Sequence, residues 1–291
     1  MQARMAPLPR AAGMALIAVL WIVAALTIMV TGLTYTVRQQ IEVTGAARDQ
    51  ASGQAIGEGA IALALQDMVA HNGRPTALVS APVSYGGVQV TVDIAPLDGW
   101  ISLNAAGEPL LTALLTTAGG LPPAPAQALA ARLIEWRESR PDVDPTAAGA
   151  ADARPRRFES PEDLLLVPGI DYTLYARIAP LVSADLMGGG QVNPMAAPAN
   201  VLAVLAQGNT ARVQQFINQR ANGPGADTSA FNSAFLGGGS PDLFRVQARV
   251  PLDAGKILLV TRDVAVGSVY SRTAPWLILR ADRQIVSTAA G

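Results

Sequence analysis

The feature that most constrains this chain is a long apolar run close to its first residue. Between Arg10 and Arg38 lie 27 residues without a charged side chain, and residues 14–30 are almost entirely Ala, Leu, Ile, Val, Met and Trp. A helix rises about 1.5 Å per residue, so a run of this length is sufficient to cross a bilayer core about 30 Å thick. The sequence therefore predicts a transmembrane helix with its span at about residues 14–35.

The short segment before this run is basic, with Arg4 and Arg10 and no acidic residue. Because positive charge favours the cytoplasmic side of a span, we expect a single-pass protein with most of its chain outside the cytoplasm. A cleavable secretory signal would have a shorter apolar core and a small-residue cleavage site. A buried core helix would not normally stay uncharged over this length. A plain signal anchor remains an open alternative.

Residues 10–20 resemble a type IV prepilin-like leader, in which a short basic segment ends in Gly before a long apolar helix. The resemblance implies a leader at residues 1–13, cleavage by prepilin peptidase after Gly13, and N-methylation of Met14. Most pilins of this class have Glu at the fifth mature position, where this chain has Ala18. A carboxylate in apolar surroundings is costly unless it is paired, so a subunit without a neighbour above it gains nothing from that Glu. Ala18 therefore favours a subunit at a filament tip.

The helix is predicted to continue beyond the membrane, as one element within residues 14–72. No Pro interrupts residues 38–70, and Ile61, Leu65 and Met68 recur at helical spacing. Turn residues from His71 onward end it. The glycines of this segment each cost about 1 kcal/mol relative to Ala, which a helix tolerates best where a neighbour approaches closely. Four positions are therefore expected to pack tightly: Gly45, Gly53, Gly57 and Gly59.

Alternating strand patterns lie at two distant places in the chain. One run covers residues 88–94, and three more cover residues 243–250, 256–263 and 275–280. A long helix followed by antiparallel strands predicts an α+β fold, a pilin-like α/β-roll formed by residues 73–97 and 242–291. The segment between them, residues 98–241, has helical patterns, so we expect an inserted α-helical domain that interrupts the sheet domain.

The predicted insert contains an internal repeat. Residues 101–106 precede an apolar turn at residues 110–115 and a helix that ends in Arg137. Residues 191–196 precede a second apolar turn at residues 201–205 and a helix that ends in Arg220. An Asn side chain can accept hydrogen bonds from the free N–H groups at a helix start. Asn104 and Asn193 are therefore predicted to be structural helix caps.

A hairpin is predicted between the two repeats, within residues 158–178. Ser160 is the expected cap, Pro161 takes the first helical position, and Gly169 forms the turn into a second helix. The unit resembles a helix-hairpin-helix, whose DNA-binding members present backbone amides of a Gly-hydrophobic-Gly turn to phosphate. Asp171 replaces the second Gly and would repel phosphate, and Arg177 is the only cation of the following helix. The hairpin is therefore predicted to be structural.

The composition argues against several kinds of site. The net charge is −1 and the isoelectric point is about 5.9, so no basic field recruits nucleic acid. The absence of Cys excludes disulfides, thiol catalysis and thiolate metal sites. The single histidine, His71, lies in a polar segment with no serine motif or carboxylate cluster suited to a triad. We expect no enzymatic activity.

Taken together, these elements resemble the minor pseudopilin K family (GspK) of type II secretion systems. The resemblance rests on the prepilin-like leader, the sheet strands, the Leu103-Asn104-Ala105 and Ser160–Ile170 segments, and the terminal strands. It implies a bacterial inner-membrane protein whose bulk is periplasmic. It also implies partnership with minor pseudopilins I and J and a role in starting or capping a pseudopilus. A membrane-anchored helix-hairpin-helix DNA-binding protein of the uptake type is the alternative.

One branch of that family binds calcium in its helical insert. The corresponding segment here carries three scattered acids, Asp142, Asp144 and Asp152. Calcium takes six to eight oxygen ligands, and three scattered aspartates are more typical of a solvated loop. The sequence neither predicts nor excludes a metal site, and it predicts no other cofactor.

Overall fold

The computed structural model describes residues 12–71, 73–139, 157–223, 225–238, 242–267 and 274–287. The chain divides into two compact units, residues 1–53 and 54–291. It has a mixed α+β fold with an antiparallel sheet and several helices, which confirms the predicted fold class at that level. The predicted divisions at residues 73, 98 and 242 stay a prediction.

Helix α1 (Ala12–Ala70) begins in the first unit and ends in the second, close to the predicted end. Within the described part of the chain, no helix combines the length and apolar character that crossing a membrane requires. Residues 1–11 of the predicted leader lie outside the described residues. At Gly13, Met14 and residues 30–35 the structure describes the helical backbone alone.

The second unit contains a five-stranded antiparallel sheet in the order β1-β2-β5-β6-β7. Its strands are β1 (Val79–Tyr85), β2 (Val88–Pro96), β5 (Leu243–Leu252), β6 (Lys256–Val266) and β7 (Trp276–Ser287). Four of these strands were predicted, with shorter bounds. β1 was not predicted, because Pro82 and several small polar residues weaken its strand pattern. The two-residue Gly86-Gly87 turn, with positive φ at both positions, joins it to β2 as a hairpin.

The last part of α1 packs against one face of this sheet. Ile61, Leu65 and Met68 are buried there, at the spacing predicted from the sequence, against valines of β2, β5 and β6. A Cβ atom added at Gly57 would lie 2.7 Å from Val260 Cγ2, so this glycine permits the close approach. Tight packing is therefore the right explanation for Gly57. At Gly45 an added Cβ atom would meet no atom of the described residues within 4 Å, so close packing among these residues does not explain this glycine.

The other α-helices of the described residues all occur between β2 and β5 along the chain. They are α2 (Glu108–Thr117), α3 (Pro123–Glu138), α4 (Tyr172–Ile178), α5 (Ala199–Leu205) and α6 (Thr210–Ala221). Their buried side chains form a hydrophobic cluster distinct from the one beneath α1. A short parallel pair, β3 (Ile101–Ser102) with β4 (Val182–Ser183), joins the segments of this helical region. Two residues are too few to give a strand signal in the sequence.

Candidate assembly surface

Two arginines occupy equivalent places in the two predicted repeats. Arg137, at the end of α3, donates from Nη1 to the carbonyl oxygens of Leu103 and Ala106, at 3.0 and 2.9 Å. Arg220, at the end of α6, donates from Nη1 to the carbonyl oxygens of Pro194, Met195 and Ala197, at 3.2, 3.2 and 2.7 Å. Burial lowers the pKa of both guanidinium groups. Each repeat is thus closed by an arginine that returns to the segment where the repeat begins.

The predicted helix-capping role of Asn104 is wrong. Gly107 is the N-cap residue of α2, three positions further on. Asn104 instead links separate segments: its Nδ2 donates to the carbonyl oxygens of Phe158 and Ala184, at 2.9 and 2.7 Å, and its Oδ1 accepts from the Phe158 N–H at 2.9 Å. The Phe158 ring also stacks on Trp136 with centroids 4.4 Å apart. Asn104 therefore ties the start of the hairpin segment, and Ala184 beyond its end, to the first repeat.

Asn193 likewise does not cap a helix, because Pro198 is the N-cap residue of α5. Its Oδ1 accepts from the Met195 N–H at 3.0 Å, which makes a local turn, as the sequence allowed. Its Nδ2 donates to the Thr76 carbonyl oxygen at 3.0 Å, and its N–H donates to the Asp98 carbonyl oxygen at 2.9 Å. Asn193 thereby joins the second repeat to the segment before β1 and to the end of β2.

The predicted hairpin is present, with one difference. Ser160 precedes a 3₁₀ helix at Pro161–Leu166, where an α-helix was expected, and its N–H donates to the Asp163 carboxylate at 3.1 Å. Gly169 has a φ of +101°, which explains glycine at the turn. Asp171 is the N-cap residue of α4, and its Oδ1 accepts from the Leu174 N–H at 2.7 Å.

This hairpin offers little to a phosphate backbone. Besides Asp171 it carries Glu159, Glu162 and Asp163. The guanidinium of Arg177 is already engaged, since Nη1 donates to the Gly119 carbonyl oxygen at 3.1 Å. An acidic hairpin repels DNA, whose binding depends on neutralising phosphate charge.

Asp142, Asp144 and Asp152, the residues considered for calcium, lie outside the described residues. Within the residues that the structure does describe, no three acidic or histidine side chains come together in a way that could hold a metal ion. His71 lies on the surface 3.1 Å from the Asp67 carboxylate.

The sheet face opposite α1 carries a row of paired charges. Asp263 on β6 accepts two hydrogen bonds from Arg245 on β5, and the Arg245 guanidinium lies 4.4 Å from the centre of the Trp100 ring. Between β2 and β5, on the same face, Asp93 of β2 pairs with Arg249 of β5. The Asp93 carboxylate also accepts a hydrogen bond from the Ser80 hydroxyl. Sequence analysis missed these pairs. The alternation of β5 could have indicated them, because Arg245, Gln247 and Arg249 all fall on its polar face.

β7 is the strand at one edge of the sheet and is largely exposed. Its apolar side chains Leu277, Ile278 and Ile285 are 44%, 52% and 45% exposed. The pairing of β7 with β6 shifts register at Leu279, opposite the step from Asp263 to Val264. Leu279 is 36% exposed. A long edge strand with exposed apolar residues is a common place for another chain to bind.

A depression flanks β7 on each side of the sheet. On the α1 side, a mainly apolar groove of about 250 Å³ lies between α1 and β7. It is lined by Ile61, Leu65, Trp276 and Ile278, and also by the ion pair of Glu58 with Arg262. On the opposite side, a cleft of about 490 Å³ with a mixed polar and apolar lining separates the sheet from the hairpin segment. The residues that line the cleft and bear on its chemistry are Trp100, Glu162, Tyr175, Arg280, Asp282 and Gln284.

Two carboxylates of the cleft, those of Glu162 and Asp282, lie near Tyr175. Partial burial, followed by the nearby Glu162 carboxylate, raises the pKa of the Tyr175 hydroxyl, which donates to Glu162 Oε1 at 3.3 Å. Asp282 also raises this pKa. Arg280 is held by Asp185 at 3.3 Å and by the Glu159 carbonyl oxygen at 2.7 Å. Arg280 also lies 4.0 Å from the Glu162 carboxylate, so the Asp282 carboxylate is the acidic group of the cleft that favours a basic or neutral polar group from outside the chain.

No protein-family model matches this sequence. No curated protein matches it either. Among solved structures, the chain is similar to one in "The Crystal Structure of the GspK-GspI-GspJ complex from enterotoxigenic Escherichia coli Type 2 Secretion System". The two chains are 18% identical with a TM-score of 0.45, and the match covers 85% of this chain and 98% of the other. At this level of similarity, the match supplies no argument about function.

Proposed function

We propose that this chain is a minor pseudopilin that starts or caps a type II secretion pseudopilus for protein export across the outer membrane. The observation that carries the proposal is the combination of a long N-terminal helix with an antiparallel sheet and a large helical insertion. The end of α1 packs on the sheet through Ile61, Leu65 and Met68. The helices α2–α6 all interrupt that sheet between β2 and β5.

The leader-like sequence and Ala18 support the tip role from the residues themselves. Inside a filament, helices pack side by side at the density of a protein interior. A bulky insertion would therefore collide with a subunit stacked above it. A subunit at the end has no such neighbour, and it needs no Glu at the position of Ala18. The proposal therefore includes cleavage after Gly13 by prepilin peptidase, N-methylation at Met14, a single pass through the inner membrane and a periplasmic bulk.

The proposed partners are minor pseudopilins I and J, which follow from the sequence resemblance. In this proposal the protein acts by assembly and has no enzymatic role. A DNA-binding role is not favoured, because the hairpin is acidic and Arg177 is engaged by the Gly119 carbonyl oxygen.

The proposal is tested by deleting the gene in its native host and measuring type II export together with pseudopilus number. We expect export to fail and filaments to become rare, with recovery when the full chain is restored. The restored protein should co-purify from solubilised membranes with minor pseudopilins I and J. Normal export and normal filaments in the deletion strain would overturn the proposal.

A further inference from the structure

We propose that the free edge of β7 accepts an extended strand from a neighbouring minor pseudopilin, and that this strand alternates apolar residues with basic or neutral polar ones. This inference rests on the proposed function for the identity of the partner. It goes further in naming the surface, the mode of binding and the chemistry of the bound segment.

The two edges of the sheet differ in a way that favours β7. β1, at one edge, has seven residues and carries Pro82 near its middle. Short edge strands and prolines both hinder pairing with another chain. β7, at the other edge, has twelve residues, contains no proline, and exposes Leu277, Ile278 and Leu279. Among the described strands only β6 pairs with it, so one row of its backbone groups faces away from the sheet.

The flanking depressions define the side chains that an added strand needs. Successive residues of a strand point to opposite faces of the sheet. A side chain of an added strand that lies beside Trp276 and Ile278, on the α1 side of the sheet, would therefore enter the groove by Leu65. The intervening side chains would point to the cleft side, where Asp282 and Gln284 lie. The partner segment must alternate apolar and polar residues.

The charges in the cleft indicate which polar residues the partner strand should carry. The cations Arg245 and Arg280 are already paired with Asp263 and Asp185. The exposed carboxylate of Asp282, by contrast, has no hydrogen bond or ion pair with any described side chain. The charge available to a partner on this side is therefore negative. A basic side chain of the added strand, next to Asp282, matches it.

The test is hydrogen exchange, measured by mass spectrometry, on the full chain in detergent, alone and with minor pseudopilins I and J of the same secretion system. Strand addition hydrogen-bonds the outer row of backbone amides, so exchange within residues 276–287 should slow about tenfold or more in the complex. Exchange within β1 should change little. Asp282→Lys should weaken the complex about tenfold, because it places like charges together. Glu135→Lys, an equal charge reversal on the exposed surface of α3, should not weaken it.

The possible failures can be told apart. If the complex forms while exchange in β7 is unchanged, the strand addition is overturned and the proposed function stands. If the chain forms no complex with either pseudopilin, both proposals are overturned. If exchange in β7 slows with concentration in the chain alone, a second copy occupies the edge and the inference about the partner is overturned.

Discussion

Asp263 and Arg245 form a two-pronged ion pair across β5 and β6, with Oδ1–Nε and Oδ2–Nη2 distances of 2.6 and 2.7 Å. The Asp263 side chain is only 2% exposed, and the Arg245 guanidinium is covered on one side by the Trp100 ring. Trp100 itself donates from its indole N–H to the Pro180 carbonyl oxygen. The pair therefore joins the sheet to the helical segments at one point.

Replacing Asp263 with Asn should strongly destabilise the fold. The substitution leaves the mostly buried Arg245 charge without its carboxylate, which typically costs about 3–5 kcal/mol in the free energy of unfolding. Chemical denaturation followed by tryptophan fluorescence measures this loss. Asp67→Asn serves as the control, because Asp67 and His71 are 77% and 76% exposed in their pair, and exposed pairs contribute at most about 1 kcal/mol. Equal losses in the two variants would contradict the assignment of Asp263.

Asn104→Ala should loosen the attachment of the hairpin segment. It removes three hydrogen bonds to Phe158 and Ala184 and leaves the Phe158 N–H unsatisfied, which together predict a loss of about 2–4 kcal/mol in the free energy of unfolding. Limited proteolysis should also detect earlier cleavage near Phe158. As a control, Asn222→Ala removes one exposed bond to the Asn218 carbonyl oxygen and should cost less than about 1 kcal/mol. An Asn104→Ala protein as stable as this control would show that the three bonds contribute nothing.

Two glycines of α1 should respond in opposite ways to alanine. Alanine is favoured over glycine in a helix by about 1 kcal/mol, so Gly45→Ala, with open space around its Cβ atom, should raise thermal stability or leave it unchanged. At Gly57 the new methyl group meets Val260 and Val250 in the buried interface, and overpacking of this kind costs about 1–3 kcal/mol. Gly57→Ala should therefore lower the melting temperature. A rise at both positions would mean that the interface between α1 and the sheet is loose.

Helices and strands could be predicted from the sequence where their pattern involves residues close together in the chain. The spacing of Ile61, Leu65 and Met68 identified the buried face of α1, and the alternation of residues 243–250 identified β5. β1 was missed because Pro82 interrupts its pattern, although Gly86-Gly87 signals a hairpin. For β1, the turn residues Gly86 and Gly87 indicated the hairpin more clearly than the residues of the strand did.

Long-range partners could not be inferred in the same way. Asn104 looked like a helix cap because caps are local, whereas its partners are 54 and 80 positions away. The equivalence of Arg137 and Arg220 was visible as a repeat, but only the fold reveals that each returns to its own first segment. The two depressions beside β7 depend on strand order and are invisible before the sheet is assembled.

Blocking the proposed leader cleavage should leave the protein unprocessed. Gly13→Val puts a branched side chain at the position where the resemblance requires glycine, so prepilin peptidase should no longer cut there. Mass spectrometry of the protein from native membranes should find the wild type beginning at a methylated Met14 and the variant retaining residues 1–13. Gly45→Ala, also in α1 but far from the cleavage position, should be processed normally. Wild-type protein that retains residues 1–13 in cells with active prepilin peptidase would contradict the pseudopilin assignment.

The central claim is that this chain occupies the tip, and locating it on isolated pseudopili tests that most directly. A tag that preserves export is labelled with gold particles, and its copy number is compared with that of the major pseudopilin. The account predicts label at one end of each filament and very few copies relative to the major subunit. Label distributed along the whole filament, at a level similar to the major subunit, would contradict it.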